Sequence, residues 1–465
     1  MSGVMTGATA RPVGSRHGRA WIVLALACAC QFMVILDSAI VNVALPSIRT
    51  DLGFTTTGLA WVVNGYLLTF AGLMLLGGRA ADLFGPRRTL VAGLAVFTVS
   101  SLAGGVATAS AILVAARVAQ GVGAALMAPA TLAVLNTVFT APHARARAFG
   151  AWSAAGGVGG MAGAVAGGAL TTGLSWRWVF LINVPIGAVL LVVAATSLAD
   201  TRAGRRQPLD LVGAATGTAG LAALIYGVMG SADHGWASAR VAVPVAAGVL
   251  LLGLFVLLER RSVQPMVPLR LFTVRGVAVG NAMLVLLGGI AIAMWYFTSL
   301  LLQNVLGYSA LRAGLGQTPA AVTFLVVARC AAALLPRTGV RPLVLAGCGA
   351  FVAGFGWLAR VHAGAGFATD VLVPTLLVAA GIGLVFPTLM AAATAGVPGD
   401  HAGIVGGLAT TAQQVGGSVG LAVLATAAAS RPGAAGYDLV FVIAAGLAVT
   451  VAAVSLLLPR RGQRR

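Results

Sequence analysis

Long uninterrupted apolar segments follow one another along the whole chain of 465 residues. Each has about twenty residues or more, the length that an α-helix needs to cross the hydrocarbon core of a bilayer. Hydrophobic residues make up 59% of the chain and charged residues only 8%, a balance unlike that of a water-soluble globule. The segments are also too long and too uniformly apolar for the alternating strands of a transmembrane barrel. The sequence therefore predicts an all-α integral membrane protein.

About fourteen such segments fit the chain, and the gaps between them are too short for a soluble domain. We place them at about 21–44, 58–78, 89–108, 110–133, 148–170, 178–198, 209–230, 240–258, 276–301, 312–335, 342–361, 371–393, 404–428 and 437–458. A short internal repeat supports two related halves, because Gly85-Pro86-Arg87 recurs 254 residues later as Gly339-Val340-Arg341. We predict two pseudo-symmetric bundles of six helices with two extra helices between them.

The predicted organisation has five parts. These are a cytoplasmic tail at 1–20, an N-terminal six-helix bundle at 21–198, a linker with two extra transmembrane helices at 199–275, a C-terminal six-helix bundle at 276–458, and a basic cytoplasmic tail at 459–465. We expect the chain to act as a monomer.

The arginines predict the orientation of these parts. All 29 basic residues are arginine, and 22 of them fall on the side of the two termini, with six on the opposite side and Arg117 inside the fourth segment. Positive charge collects on the cytoplasmic side of membrane proteins. Both termini are therefore predicted to be cytoplasmic, in a multi-pass protein of a bacterial cytoplasmic membrane. The net charge of +19 then reflects topology, and we expect contact with lipid rather than with nucleic acid.

The chain contains no lysine, which excludes a phosphate-binding loop of the ATPase type and any Schiff-base cofactor. We therefore predict no cofactor and no metal site. Any uphill work by this protein would have to draw on an ion gradient.

Two charged residues lie deep in predicted spans. Asp37 has apolar residues on both sides, and such a carboxylate normally faces a cavity or a partner and handles protons, ions or cationic ligands; the alternative is a neutral structural side chain. Arg117 shares a helical face with Gln120, Gly121 and small residues, which points it into the bundle; the alternative is an arginine that extends to water.

A stripe of glycine follows one face of the fifth segment, formed by Gly156, Gly160, Gly163 and Gly167. Such a stripe lets two helices approach closely. It serves either plain packing or a seam that moves during a conformational change.

These motifs resemble those of the fourteen-helix drug:proton antiporter family of the major facilitator superfamily, over nearly the whole chain. LDSAIVNVALP at 36–46 resembles the first-span signature of that family, and GRAADLFGPRRTL at 78–90 resembles the superfamily's loop after the second span. WRWVFLINVPIG at 176–187 is also typical of the group. The resemblance implies proton-coupled export of a small amphipathic or cationic drug by alternating access.

The resemblance also implies roles for particular residues. Asp37 and Arg117 would couple transport to protons, and the glycine stripe would be the moving seam. The loop after the second span would be a conformational gate, carried by Gly78, Asp82, Gly85, Arg87 and Arg88. Candidates for a substrate cavity are polar residues within the spans, namely Asn42, Asn64, Tyr66, Gln120, Tyr296, Gln303 and Gln413.

Two positions depart from the family pattern. Relatives commonly have proline where this chain has Ala164, so a kink of the fifth span is not expected here. They also commonly have arginine where this chain has Gln413, which removes one positive charge.

Three other functions stay open. A proton-coupled nutrient importer would share the fold, since fold does not set direction. A sensor that no longer transports is a second alternative. An integral-membrane enzyme is the remote third, because the five histidines fall outside the predicted spans and only one carboxylate lies deep.

Overall fold

The computed structural model describes residues 14–198, 210–262, 265, 267, 269–362, 364–394 and 402–458. Within these ranges every regular element is a helix, which confirms the predicted all-α class. The main helices are α1 (Gly14–Leu52), α2 (Thr56–Phe84), α3 (Pro86–Gly105), α4 (Ser110–Val138), α5 (Pro142–Gly173), α7 (Asn183–Ser197), α8 (Leu211–His234), α9 (Ala239–Arg261), α10 (Arg275–Ile292), α12 (Ala310–Thr338), α13 (Val340–Leu358), α14 (Val373–Thr394), α15 (Ala402–Ala429) and α16 (Ala434–Ser455). The short elements are α6 (Trp178–Leu181), a 3₁₀ turn (Leu269–Thr273), α11 (Thr298–Asn304), and two π-helical segments (Ala293–Phe297 and Phe367–Leu372).

Twelve helical segments of the described part are long and apolar enough to cross a membrane. Three of them join consecutive elements: Trp178–Ser197, Arg275–Asn304 and Phe367–Thr394. The predicted segments 148–170 and 404–428 form α5 and α15, which are equally long but are not among the twelve. Their many glycine and polar residues dilute the apolar character. By length and hydropathy the described chain thus supports twelve spans, and fourteen stays a prediction.

Several helices extend beyond the predicted segments or break within them. The first segment, predicted at 21–44, is part of a helix that runs through Pro46 to Leu52. The sixth, predicted at 178–198, is divided between α6 and α7 at Ile182. Pro185 explains this break, because it offers no N–H to the carbonyl one turn earlier. Of the predicted tails and linker, residues 1–13, 199–209 and 459–465 lie outside the described part.

The helices pack as two groups with a hairpin between them. The first group is α1–α7, held by α1 against α5, α2 against α4, and α3 against α4 and α7. The second is α10–α16, held by α10 against α15, α12 against α14, and α13 against α14 and α16. The groups meet where α2 contacts α15, where α5 contacts α12 and where α1 contacts α11. The α8–α9 hairpin rests on this junction, because α8 touches both α2 and α15.

The internal repeat of the sequence has a structural counterpart. Gly85 separates α2 from α3 with φ of 92°, and Gly339 separates α12 from α13 with φ of 82°, both in the region that favours glycine. Two residues after each glycine an arginine binds the C-terminal end of the last helix of its group. Arg87 donates to the carbonyl of Ala195, and Arg341 donates to that of Leu456 at 2.6 Å. The two groups therefore share a construction at this end of the molecule.

Candidate functional site

Asp37 lies at the centre of a buried polar network inside the first helix group. Its Oδ2 accepts from Nη1 of Arg117 at 2.6 Å, and its Oδ1 accepts from Nε2 of Gln120 at 2.7 Å and from Nδ2 of Asn183 at 2.8 Å. Asp37 has 0% and Arg117 1% of the side chain exposed, so the ion pair has no contact with solvent. Breaking such a pair strands a charge in a low-dielectric interior.

Arg117 has further partners besides the carboxylate. Its Nε donates to the carbonyl of Val62 on α2 at 2.9 Å, and its Nη1 also donates to Oε1 of Gln120 at 2.7 Å. The guanidinium carbon lies 4.3 Å from the ring centroid of Tyr66, a cation–π contact. The guanidinium would therefore stay solvated by protein groups even without its carboxylate.

The prediction that Arg117 and Gln120 share one face of their helix is correct. The two side chains bind each other one turn apart and both reach Asp37, which is 80 residues away from Arg117 in the chain. The alternative of an arginine that extends to water is wrong, because the bundle encloses this side chain.

Three members of the network were not identified from sequence. Asn183 comes from the first turn of α7, Ser101 from α3, where its Oγ accepts from Gln120 at 2.7 Å, and the third is the Val62 carbonyl. Asn183 interrupts an apolar run two residues before Pro185, and that was the available signal for it. The other two become visible only when the helices are packed.

The glycine stripe of α5 lies against α1 over the turns that surround Asp37. A Cβ added at Gly163 would lie 2.8 Å from the carbonyl oxygen of Leu36, and one at Gly167 would lie 2.6 Å from that of Ile40. Gly159, which the stripe did not include, is equally tight, at 2.6 Å from the carbonyl of Phe32. Close packing is thus established at this seam, whereas its movement stays a prediction.

The other two stripe residues have more room. A Cβ at Gly156 would lie 3.1 Å from Nε2 of Gln31, and one at Gly160 would lie no closer than 3.6 Å to Ile35. The opposite face of α5 meets α12, where a Cβ at Gly314 would lie 2.1 Å from the carbonyl of Ala164. α5 is a single continuous helix through Ala164, as the missing proline predicts.

We expect Gly163→Ala to lower the free energy of unfolding by about 1–3 kcal/mol, because the added methyl overlaps the backbone of α1. Gly160→Ala is the matched control on the same helix, and it should be neutral or slightly stabilising, since alanine is the better helix former. Thermal unfolding of the purified variants in detergent measures both. Equal melting temperatures for the two variants would contradict the close contact at Gly163.

At the end of the junction away from the chain termini, hydrogen bonds join the two groups. Pro46 leaves the carbonyl of Asn42 without its helical N–H donor, and Oγ of Ser299 on α11 donates to that carbonyl at 3.3 Å. Nε2 of Gln303 donates to the next carbonyl, that of Val43, at 3.1 Å. These bonds join α1 to α11 directly.

At the opposite end of the junction, parts of α5 and α12 lack a close neighbour. Near the start of α5, a Cβ at Gly150 would meet nothing within 4 Å. Near the end of α12, the consecutive residues Ala332, Ala333 and Leu334 are all exposed. The two groups still touch on this side through α2 and α15, where a Cβ at Gly407 would lie 3.3 Å from Leu75.

The predicted gate loop lies at the end of the junction that carries the chain termini. Gly85 occupies the positive-φ turn between α2 and α3, and Arg87 binds the end of α7. Asp82 and Arg88 are exposed, and Gly78 faces Pro129 of α4, with 3.7 Å to a Cβ added there.

The cavity candidates separate into several places. Tyr66 and Gln120 belong to the Asp37 network, and Asn42 and Gln303 to the α1–α11 contact. Asn64 is buried against Met229 of α8, with Nδ2 at 3.4 Å from the sulfur. The two others lie in the second group.

Of these two, Tyr296 is buried and its ring lies 4.8 Å from that of Phe297, centroid to centroid. Gln413 is half-buried on α15, and a Cβ at Gly288 of α10 would lie 2.2 Å from its carbonyl oxygen. The seven candidates thus do not form one cluster.

Sequence comparison gives a match to one family model, described as Major Facilitator Superfamily, over residues 27–421. The cephamycin export protein of Amycolatopsis lactamdurans is 44% identical over 455 residues, covering 96% of this chain and 93% of that protein. The puromycin resistance protein of Streptomyces alboniger is 39% identical, with 88% and 82% covered. The tetracenomycin C resistance and export protein of Streptomyces glaucescens is 33% identical, with 92% and 79% covered.

Solved structures with the same fold are distant in sequence. A D-xylose-proton symporter superposes with a TM-score of 0.69 at 14% identity, covering 96% of this chain and 99% of the other. An inward-open structure of the xylose transporter XylE from E. coli gives a TM-score of 0.66 at 14% identity, with 96% and 98% covered. At this level of identity the likeness concerns the fold alone.

Proposed function

This chain belongs to the major facilitator superfamily, and we propose that it exports a small antibiotic or drug from the bacterial cytoplasm in exchange for protons. The observation that carries the direction of transport is its 44% identity, over nearly the full length of both chains, to a cephamycin export protein. Relatives named for puromycin and tetracenomycin C resistance agree with it. The importer, sensor and enzyme alternatives have no such relative among these three.

The coupling site is the Asp37–Arg117 pair. A carboxylate that takes up a proton loses its charge and with it the ionic attraction to the guanidinium. Arg117 then retains Gln120, the Val62 carbonyl and the Tyr66 ring as partners. The pair can therefore open without leaving a bare cation in the bundle, which is what a reversible proton site requires.

The network is connected to the junction between the two helix groups through α2. Arg117 binds the backbone of α2 at Val62, and α2 packs against α15 of the other group. Asp37 itself lies on α1, whose outer turns are bonded to α11. A change of charge at Asp37 thus acts on α1 and α2, two of the helices through which the halves make contact. Alternating access follows if this change shifts the equilibrium between a state closed at one end and a state closed at the other.

We assign the end that carries the chain termini to the cytoplasm, because most arginines lie there. Drug would enter from that side, and Gly78, Asp82, Gly85, Arg87 and Arg88 would close it in the alternate state. The glycine contact of α5 with α1, next to Asp37, would be the surface that slides.

We further propose that α5 and α15 also cross the bilayer, which gives fourteen spans with both termini in the cytoplasm. The two added helices, α8 and α9, would face lipid on the side of the α2–α15 contact. No cofactor or metal enters this scheme, and the transporter would work as a monomer. Asn42, Gln303, Tyr296 and Gln413 remain the candidates for substrate contact.

Export is tested by expressing the protein in a drug-susceptible bacterium and measuring accumulation of a cephamycin, puromycin and tetracenomycin C. We expect reduced accumulation and raised resistance for at least one of them, and loss of both effects when a protonophore collapses the gradient. Equal accumulation of all three compounds in cells with and without the protein would contradict export of this class. Higher accumulation in expressing cells would favour the importer.

A further inference from the structure

Asn183 is a buried amide with one unused atom beside the coupling carboxylate. It lies at the break between α6 and α7, has no exposed surface, and donates from Nδ2 to Oδ1 of Asp37 at 2.8 Å. Its own Oδ1 is buried and accepts no hydrogen bond. An unmet buried acceptor is unfavourable, so its place next to a proton site calls for an explanation.

The chemistry of the carboxyl group supplies one. An ionised carboxylate only accepts hydrogen bonds, and Asp37 has three donors around it. A protonated carboxyl group carries one O–H donor and needs an acceptor, while a donor already aimed at that oxygen now opposes it. Of the two amide oxygens nearby, that of Gln120 is bound by Arg117, and that of Asn183 is unbound.

We propose that Asn183 is a positioning residue whose side-chain amide turns over when Asp37 gains or loses a proton. Its Nδ2 donates to the carboxylate, and its Oδ1 accepts from the carboxylic acid. This inference rests on the proposed function, in which Asp37 carries the proton.

The exchange is balanced in atoms and bonds. A proton binds Oδ1 of Asp37 and forms an O–H bond; the Asn183 amide turns half a revolution about Cβ–Cγ; its N–H···O bond is replaced by an O–H···O bond. One amide atom of Asn183 is unmet in each orientation, so the turn loses no hydrogen bond overall. Release of the proton reverses the turn.

In the described part of the chain, the titratable side chains beside Asp37 are those of Arg117 and Tyr66. The helices around Asp37 contribute Arg117 from α4 and Tyr66 from α2, while α3 contributes Ser101, α7 contributes Asn183 and α5 presents its glycine face. The Tyr66 hydroxyl donates to the carbonyl of Val34 at 3.4 Å, away from the carboxylate. Among the described residues, Asn183 is thus the amide whose oxygen is available to the new O–H.

The test is infrared difference spectroscopy on the full-length protein in lipid vesicles during a pH titration. The C=O stretching band of protonated Asp37 is identified by its absence in Asp37→Asn. In Asn183→Leu, which keeps the branched shape and removes both amide atoms, we expect this band to move to higher wavenumber, because the O–H has lost its acceptor, and the midpoint pH of the titration to stay near the wild-type value, because each protonation state loses one hydrogen bond. A residue that served only for packing would leave the band in place. A residue that served only as a donor to the carboxylate would, when removed, raise the midpoint pH at which the band appears.

Asn281→Leu is the matched control, since Asn281 is a buried amide of α10 that donates to its own helix, at the carbonyl of Val277, and also has an unused Oδ1. It should leave the Asp37 band unchanged. If the leucine variant of Asn183 is not recovered folded, Asn183→Val removes the same atoms in a smaller side chain and should give the same displacement. An unchanged band in the folded Asn183 variant overturns this inference alone. A wild-type protein with no pH-dependent band at Asp37 overturns the proton role of Asp37 and this inference with it.

Discussion

Asp37→Asn is expected to abolish proton-driven export while leaving downhill movement of the drug intact. Asparagine has the same shape as aspartate but keeps only one acceptor oxygen, which can serve Arg117 or the two amides Gln120 and Asn183. Part of the network therefore survives while the side-chain volume is kept. What it lacks is an ionisable group that can carry a proton. Downhill movement needs no proton, so drug can still cross along its own gradient.

The measurement uses vesicles that contain purified protein and a labelled drug identified in the resistance screen. With an imposed pH gradient, the wild-type protein should concentrate the drug, and Asp37→Asn should stop at equal concentrations on the two sides. Asp51→Asn is the matched control on the same helix. Asp51 is about half exposed and binds Arg177 near the end of α1, far from the network. It should concentrate the drug as wild type does. Concentration of drug by Asp37→Asn to the wild-type level would refute the coupling assignment.

The sequence allowed the all-helical class and the two halves to be predicted because their signals are local. An apolar segment long enough to cross the bilayer almost always forms an α-helix. Its backbone N–H and C=O groups find no water in lipid, so they must pair with each other within the segment. The repeat at Gly85 and Gly339 was also readable, because a positive φ selects glycine at both turns. The number of spans was harder to read, since glycine-rich α5 and α15 fall between a membrane helix and a polar one.

Within the candidate site, helical spacing identified Arg117 and Gln120 as neighbours, and depth alone identified Asp37. That Asp37 and Arg117 form a direct ion pair follows only from the packing of α1 against α4. Asn183 belongs to a different helix again, so its part in the network needed the tertiary arrangement. The cavity candidates show the limit of the method: polarity within a span marks a residue that needs a partner, and for Asn64 that partner is Met229.

The glycine stripe shows the same limit at finer scale. Spacing at 100° per residue correctly gave Gly163 and Gly167, which touch the carbonyls of α1, and it also gave Gly160, which has room. Gly159 was left out although it is as tight as the others. Which glycines make contact depends on how α1 packs across α5, and the spacing within α5 alone does not give this packing.

Arg117→Met is expected to be strongly destabilising, by about 3–5 kcal/mol, because it leaves the Asp37 carboxylate buried without its countercharge. Methionine retains most of the apolar stem of arginine, so loss of packing is a minor part of the effect. The Val62 carbonyl and Gln120 Oε1 lose a donor as well. Arg329→Met is the control: this arginine is exposed on α12, and its removal should leave the unfolding transition almost unchanged.

A second substitution distinguishes the charge effect from simple loss of structure. If the stranded carboxylate is the cause, adding Asp37→Asn to Arg117→Met removes the buried charge, and the double variant should lose less stability than the sum of the two single losses, by a coupling energy of about 0.5–3 kcal/mol. Thermal unfolding of the four proteins in one detergent gives the cycle. Additive losses in the double variant would mean that the two side chains do not stabilise one another as a pair. The ion pair would then be explained by its function alone, because the cost of desolvating two charges leaves a buried ion pair with little net contribution to stability.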